Sequence, residues 1–195
     1  MSKPEGARSD PATPPKLQGA SPWRVRRLIG LDPGLRATGW GVIEVVGNRL
    51  SHVANGVVKA DTEGEMASRL RQLFEGLMQV LEDWEPCAAA VESVFVNKDQ
   101  GSSLKLGQAR GVVLLAPALR RIPVAEYAPN QVKKALVGVG HADKTQMRAM
   151  VGRLMPGCAI AGADAADALG VAICHAHSAP AQQVLVAVRK AGGRG

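Results

Sequence analysis

The stretch that narrows the fold most is "CAAAVE", residues 87–92, which is apolar without alternation until it ends in Glu92. A half-exposed strand alternates apolar and polar residues. A run with no polar member needs cover on both faces, the situation of a parallel strand inside an α/β sheet. The neighbouring segments agree. "RLIGLD" (27–32) reads as another short buried strand, and it too ends in a carboxylate, Asp32. "GWGVIEVV" (39–46) and "LSHVANGVV" (50–58) flank the turn signal "GNR", which predicts an antiparallel hairpin. Met66, Leu70, Phe74, Leu77 and Leu81 recur at three- and four-residue steps, an amphipathic helix closed by Pro86. "SSLKLGQARGVVLLAPALR" reads as a helix and "IPVAEY" (122–127) as a strand. Two short helical segments, "NQVKKALVG" and "DKTQMRAMVGRLM", surround the loop "VGVGHA", and "GADAADALGVAICHAH" forms the last helix. The order is three strands, helix, strand, helix, strand, helices. It predicts an α/β domain with a mixed five-stranded sheet flanked by helices, the hairpin forming one edge.

A chain of 195 residues suits one core. The expected division is a disordered, basic, Pro-rich extension at 1–26, the folded domain at 27–178 and a flexible basic tail at 179–195. The net charge of +7 invites a nucleic-acid reading, but its distribution matters. Residues 1–27 hold six basic and two acidic residues, and 178–195 hold three basic and no acidic ones. The 15 basic and 15 acidic residues between them cancel, so a basic surface on the domain requires local clustering. No run has the length of a membrane span, and the N-terminus lacks a signal peptide's apolar stretch, so a cytoplasmic protein is expected. The three cysteines, Cys87, Cys158 and Cys174, are widely spaced among apolar residues and read as buried free thiols.

Four carboxylates stand out. Asp32 and Glu92 each close a buried strand, where an isolated carboxylate is costly. Ligands gather at the carboxyl ends of strands in α/β sheets. Asp164 and Asp167 stand three apart at the start of the last helix, on one face and near the positive end of its dipole. Ala165, Ala166, Ala168 and Gly170 would let that helix lie flat on the sheet. Taken singly, each acid has an ordinary role. Asp32 suits a turn before Pro-Gly, Asp164 a helix N-cap, Glu92 a paired core carboxylate and Asp167 a solvated helix acid. Together they imply convergence on one point. Four clustered acids need cations, and oxygen-only donors select Mg²⁺ or Mn²⁺, one or two ions suited to phosphoryl chemistry. A zinc site at "CHAH" is excluded, because Cys174, His175 and His177 cannot all face one way on a helix.

The segments "IGLDPGLRATGWGVI", "AVESVFVNKDQGSSLKLGQARGV", "YAPNQVKKALVGVGHADKTQM" and "DAADALGVAICHAH" together resemble the RuvC family of bacterial Holliday junction resolvases, from about Leu28 to about His177. The resemblance implies a ribonuclease H-like fold and a homodimer that cuts four-way DNA junctions by symmetric, Mg²⁺-dependent nicks on two strands of like polarity. It implies a catalytic, metal-holding tetrad at Asp32, Glu92, Asp164 and Asp167. Its DNA-contacting aromatic falls on Phe95 and its basic residues near the active site on Lys133 and Lys144. It also implies partnership with a branch-migration motor complex. Phe95, one of six aromatics, suits base stacking or equally a core position between Val94 and Val96. Lys133, Lys134 and Lys144 around the Gly-rich loop, with Lys105 and Arg110 in "KLGQAR", suit phosphate contacts or a solvated face. Gly107 and Gly111 mark their helix as a candidate packing surface between subunits, or equally for packing within one subunit.

Three rival readings remain. "LDPG" with "ATGWGVI" also resembles the phosphate loop of actin-like ATP-binding proteins, which need a second lobe for which 195 residues leave no room. A related ribonuclease H-like nuclease acting on structured RNA would not be expected to carry the "SVFVNKDQGSSLKLGQARG" segment. A catalytically silent junction-binding protein would have no use for four intact acids.

Overall fold

The computed structural model describes residues 25–93, 100–140 and 142–192, with backbone alone for residue 100 and for 179–192. Five strands form one sheet: β1 (Arg26–Asp32), β2 (Ala37–Val46), β3 (Arg49–Lys59), β4 (Ala88–Glu92) and β5 (Val124–Tyr127). Their spatial order is β3-β2-β1-β4-β5. The β2–β3 hairpin makes one edge as expected, turning at Gly47, whose φ of +58° suits a residue without Cβ. β1 runs antiparallel to β2 and parallel to β4, and β4 runs parallel to β5. Among the described residues the helices are α1 (Met66–Trp84), α2 (Gln100–Leu119), α3 (Pro129–Val137), α4 (Lys144–Leu154) and α5 (Ala163–Gly192).

The sheet separates two apolar layers, and the two-residue period of a strand decides which side chain enters which. Ile29, Leu31, Ala89 and Val91 face α1 and α2. Leu28 and Ala90 face α3, α4 and α5. Asp32 and Glu92 continue the second set, so both strand-end acids project toward α5. Tyr127 Oη and His175 Nδ1, 2.8 Å apart and buried, fasten β5 to α5.

α5 crosses β1 and β2 at very close range. A Cβ on Gly30 would fall 2.0 Å from the carbonyl oxygen of Ala168, and one on Gly39 would fall 2.1 Å from that of Asp164. The sequence pattern credits the helix's small residues with this approach, but the sheet contributes equally. Gly170, one of the residues expected to face the sheet, instead packs beside Leu136 of α3.

α5 continues through Gly192. One expectation differs from the structure. Cys158 is half-buried and Cys174 buried, with both thiols pushed up by burial, but Cys87 is exposed. Cys87 precedes β4 at the sheet's rim, where its N–H still bonds to the Arg27 carbonyl at 2.8 Å. Among the described residues no helix is long and apolar enough to cross a membrane.

Candidate active site

In the parallel β1–β4 ladder Leu31 stands opposite Val91. The next residues, Asp32 and Glu92, therefore leave adjacent strands at the same level and on the same face, and their carboxyls share a hydrogen bond. On the other side of β1, Asp32 pairs with Gly39, the glycine on which the Asp164 backbone rests. The first turn of α5 is thereby held over the end of β1, and Asp167 follows three residues later.

α3 and α4 bring the cations. α4 starts with a reciprocal cap: the Asp143 carboxylate accepts from the Gln146 N–H at 2.8 Å, while the Gln146 side chain accepts from the Asp143 N–H at 3.1 Å. Lys144 is the first residue inside that cap. The same helix end that disfavours a lysine by its dipole places Lys144 Nζ 3.2 Å from Asp167 Oδ2. α3 begins with Pro129 in its first turn, and the Gln131 side chain accepts from the Ala128 N–H at 2.8 Å. That start sets Lys133 one turn along, facing the acids.

Asp32, Glu92, Asp167, Lys133 and Lys144 line one cavity of about 310 Å³. Asp164 lines a second cavity, of about 490 Å³, together with Arg36, Arg69 and Lys105. The two helix acids thus line different cavities, while the charge of both bears on Asp32. Lys134 and Arg110 line neither cavity. Lys134 is solvent-exposed, and Arg110 is paired with Glu126. Phe95 lies outside the described residues. Arg36 and Arg69 were not singled out from the sequence. The signal for Arg36 was its place in "DPGLR"; Arg69 sits in an ordinary-looking amphipathic helix.

The electrostatics show strain among the acids. Burial, with the added charges of Glu92, Asp167 and Asp164, pushes the Asp32 carboxyl up to about 8. Burial also raises Glu92, against the opposing pull of its bond to Asp32 and of Lys144 and Lys133. The Asp167 carboxylate, in turn, holds Lys144 above its ordinary value. Among the described residues no three carboxylate, imidazole or thiol groups form a ready-made metal cage. Asp32 stands beside Glu92 instead, and Asp167 is paired with the ammonium of Lys144. The donor chemistry is nonetheless that of a hard divalent cation: carboxylate oxygens on strand ends and one helix start, destabilised by one another's charge.

The profile of the family described as "Crossover junction endodeoxyribonuclease RuvC" matches residues 28–175. The protein of that name from Rhodospirillum rubrum is 57% identical over 168 residues, covering 86% of this chain and 99% of that one. Its namesake from Paramagnetospirillum magneticum is 58% identical over 159 residues, covering 82% and 96% respectively. The solved structure of Thermus thermophilus RuvC in complex with Holliday junction substrate matches with a TM-score of 0.74 at 34% identity, covering 80% of this chain and 96% of that one. The mixed sheet and its helices are the ribonuclease H-like fold of that relative. A profile spanning three quarters of the sequence, and relatives above half identity over almost their full length, leave one conclusion: the chain belongs to the RuvC family of crossover junction endodeoxyribonucleases.

Proposed function

We propose that this protein resolves four-way DNA junctions in recombination and repair, nicking two strands of like polarity at symmetric positions. The observation that carries the reading is the meeting of Asp32, Glu92 and Asp167 with Lys133 and Lys144 in one cavity, with Asp164 at its margin. The Thermus thermophilus relative, solved on a Holliday junction, supplies the substrate class. Membership of the family implies dependence on a divalent metal. Mg²⁺, with Mn²⁺ able to substitute, is the ion we infer, one or two per subunit, held by Asp32, Glu92, Asp164 and Asp167. When bound, such ions supply an activated water and neutralise charge on the leaving oxygen.

The chain's own groups have distinct tasks. Asp32 and Glu92, fixed to strand ends, hold their oxygens in place without loop motion. Lys133 and Lys144 approach the same point from the opposite wall and offer positive charge to a scissile phosphate. Lys105 serves the strand beyond, and Phe95 stacks on an unpaired base. Lys134 and Arg110 are the weaker candidates for DNA contact, given their positions outside both cavities.

A homodimer follows from the substrate, because one site cuts one strand and a junction has two equivalent strands. α2 carries a surface suited to the second copy. Leu104, Leu115 and Leu119 are exposed, and among the described residues no atom outside the helix lies within 4 Å of a Cβ placed on Gly107 or Gly111 between them. A branch-migration motor is the further partner, and the cytoplasm the site of action. Incubating the protein with a labelled synthetic four-way junction, beside plain duplex and with and without Mg²⁺, tests the reading. Paired nicks confined to the junction and requiring metal are expected. Indiscriminate cutting of duplex, or no cutting with any divalent ion, would overturn it.

A further inference from the structure

The second cavity holds a charge imbalance that the chemistry of cleavage does not use. Arg36 comes from the β1–β2 loop, Arg69 from the first turn of α1, and Ser102 and Lys105 from the start of α2. Both helices begin at this cavity, so their positive dipole ends add to three cationic side chains. Asp164 is the one carboxylate on its wall. Among the described residues, Arg36, Arg69 and Lys105 form no ion pair with it or with any other acid. Arg69 is the most telling of the three. Its Nε is buried without a hydrogen-bond acceptor, and its Nη2 reaches only the Leu35 carbonyl, at a long 3.5 Å. Held by one long bond alone, the guanidinium keeps donor capacity at its outer nitrogens for an incoming anion.

We propose that Arg36, Arg69 and Lys105 form a phosphate-binding subsite that grips a backbone phosphate of the cleaved strand, next to the scissile one. The inference rests on the reading of this protein as a junction nuclease. Asp164 belongs both to this cavity and to the acids around Asp32, so the subsite opens directly beside the reacting centre. A phosphodiester fits better than a small-molecule anion, because the cavity, at about 490 Å³, is open toward solvent and offers two guanidinium groups and an ammonium, with only Leu35, Ala37 and Leu106 as apolar lining for a ligand body. The grip fixes which phosphate of a strand reaches Asp32 and Glu92, and so acts on register.

The test measures junction binding in Mg²⁺ with the uncleaving Asp32→Asn protein as parent, then with Arg36→Gln and Arg69→Gln added singly and together. Without these guanidinium groups, binding should weaken about tenfold or more, and the slope of log affinity against log salt should fall by about one for each phosphate no longer gripped. A set of junctions, each with one neutral methylphosphonate at a successive position flanking the cut, locates the gripped phosphate. The parent should lose affinity at one position, and the double variant should show no further loss there. An unchanged salt slope, or an equal methylphosphonate penalty in parent and variant, would overturn the subsite while leaving the nuclease reading intact. A parent that binds no junction would overturn both. Arg36 is exposed, so Arg36→Gln keeps its fold and carries the test alone if Arg69→Gln does not.

Discussion

The sheet has a cavity at each end, and the two differ in kind. At the end where β1 begins, Arg49, His52, Leu154, Met155, Cys158 and His177 surround about 640 Å³. At the end where β1 finishes, the space beside Asp32 and Glu92 is about half as large, at 310 Å³. The larger cavity contains one cation, Arg49, two imidazoles, a thiol and no carboxylate. The smaller contains three carboxylates facing two lysines. Size alone would select the wrong end. What separates them is the direction of the parallel strands, whose carboxyl ends meet only on one side. Rigid strand ends deliver acids there, whereas the other end is built of a hairpin turn and the exits of helices.

The sharpest test of that contrast is Asp32→Asn. It removes one oxygen ligand and leaves the fold untouched, so nicking should fall by at least about 10³-fold while junction binding persists. Single-turnover cleavage of a synthetic junction, paired with a gel-shift measurement, reads both quantities. Nicking at near wild-type rate would remove the acid end from the mechanism.

The reason this end was legible in the sequence is also the reason the other was not. Asp32 and Glu92 end otherwise apolar strands, and the register that pairs Leu31 with Val91 puts both on the same face. Asp164 and Asp167 announce themselves against alanine. The pairing of Lys144 with Asp167 was not legible, because it depends on the capped start of α4 being folded back over α5. Arg69 was hidden for a related reason: its helix has a regular apolar stripe, and only the tertiary fold shows that its first turn meets the start of α2 and the β1–β2 loop. Nor did the spacing of Asp164 and Asp167 reveal that the two would line different cavities. Sequence period locates a face; the cavity that each residue of that face lines comes from packing.

Gly39 tests whether the acid end depends on this packing. A Cβ there would meet the Asp164 carbonyl oxygen at 2.1 Å, and backbone is the obstacle, so Gly39→Ala must lift the start of α5. A displacement of about 1 Å at a catalytic group costs on the order of 10²-fold in rate. The expected pattern is a loss of that size in cleavage with a smaller effect on junction binding. A variant that melts at a lower temperature yet cleaves normally would mean that the helix start is not a precise mount for Asp164.

A third test uses acidity. The folded protein holds the Asp32 proton up to about pH 8, whereas the unfolded chain releases it near the ordinary value of 3.8. Between those limits the native state binds the extra proton, so stability falls as pH rises through the window and levels off above it. Asp32→Asn removes the penalty. In metal-free buffer the variant should melt above the parent, with a gap that opens from about pH 4 to pH 8, by roughly 2–4 °C for each kcal/mol recovered. Adding Mg²⁺ at pH 8 should raise the parent's melting temperature more than the variant's. A gap that is constant with pH would mean that Asp32 is not strained by its neighbours.

The smallest expected effect belongs to the opposite end, and there the comparison is most exposed to failure. Arg49 is exposed at the start of β3 and forms no ion pair among the described residues. Removing its charge takes away neither packing nor a buried partner, so Arg49→Gln should change stability by less than about 0.5 kcal/mol. Nothing links it to the acids except the length of β1, seven residues and therefore about 20 Å of strand. At physiological ionic strength a charge at that distance is screened over a Debye length of about 8 Å. Nicking rate and salt slope should therefore match the parent. If Arg49→Gln instead flattened the salt slope as Arg36→Gln is expected to, the DNA path would extend over both ends of the sheet. The division between a working end and an idle one would then fail, even with every acid in its place.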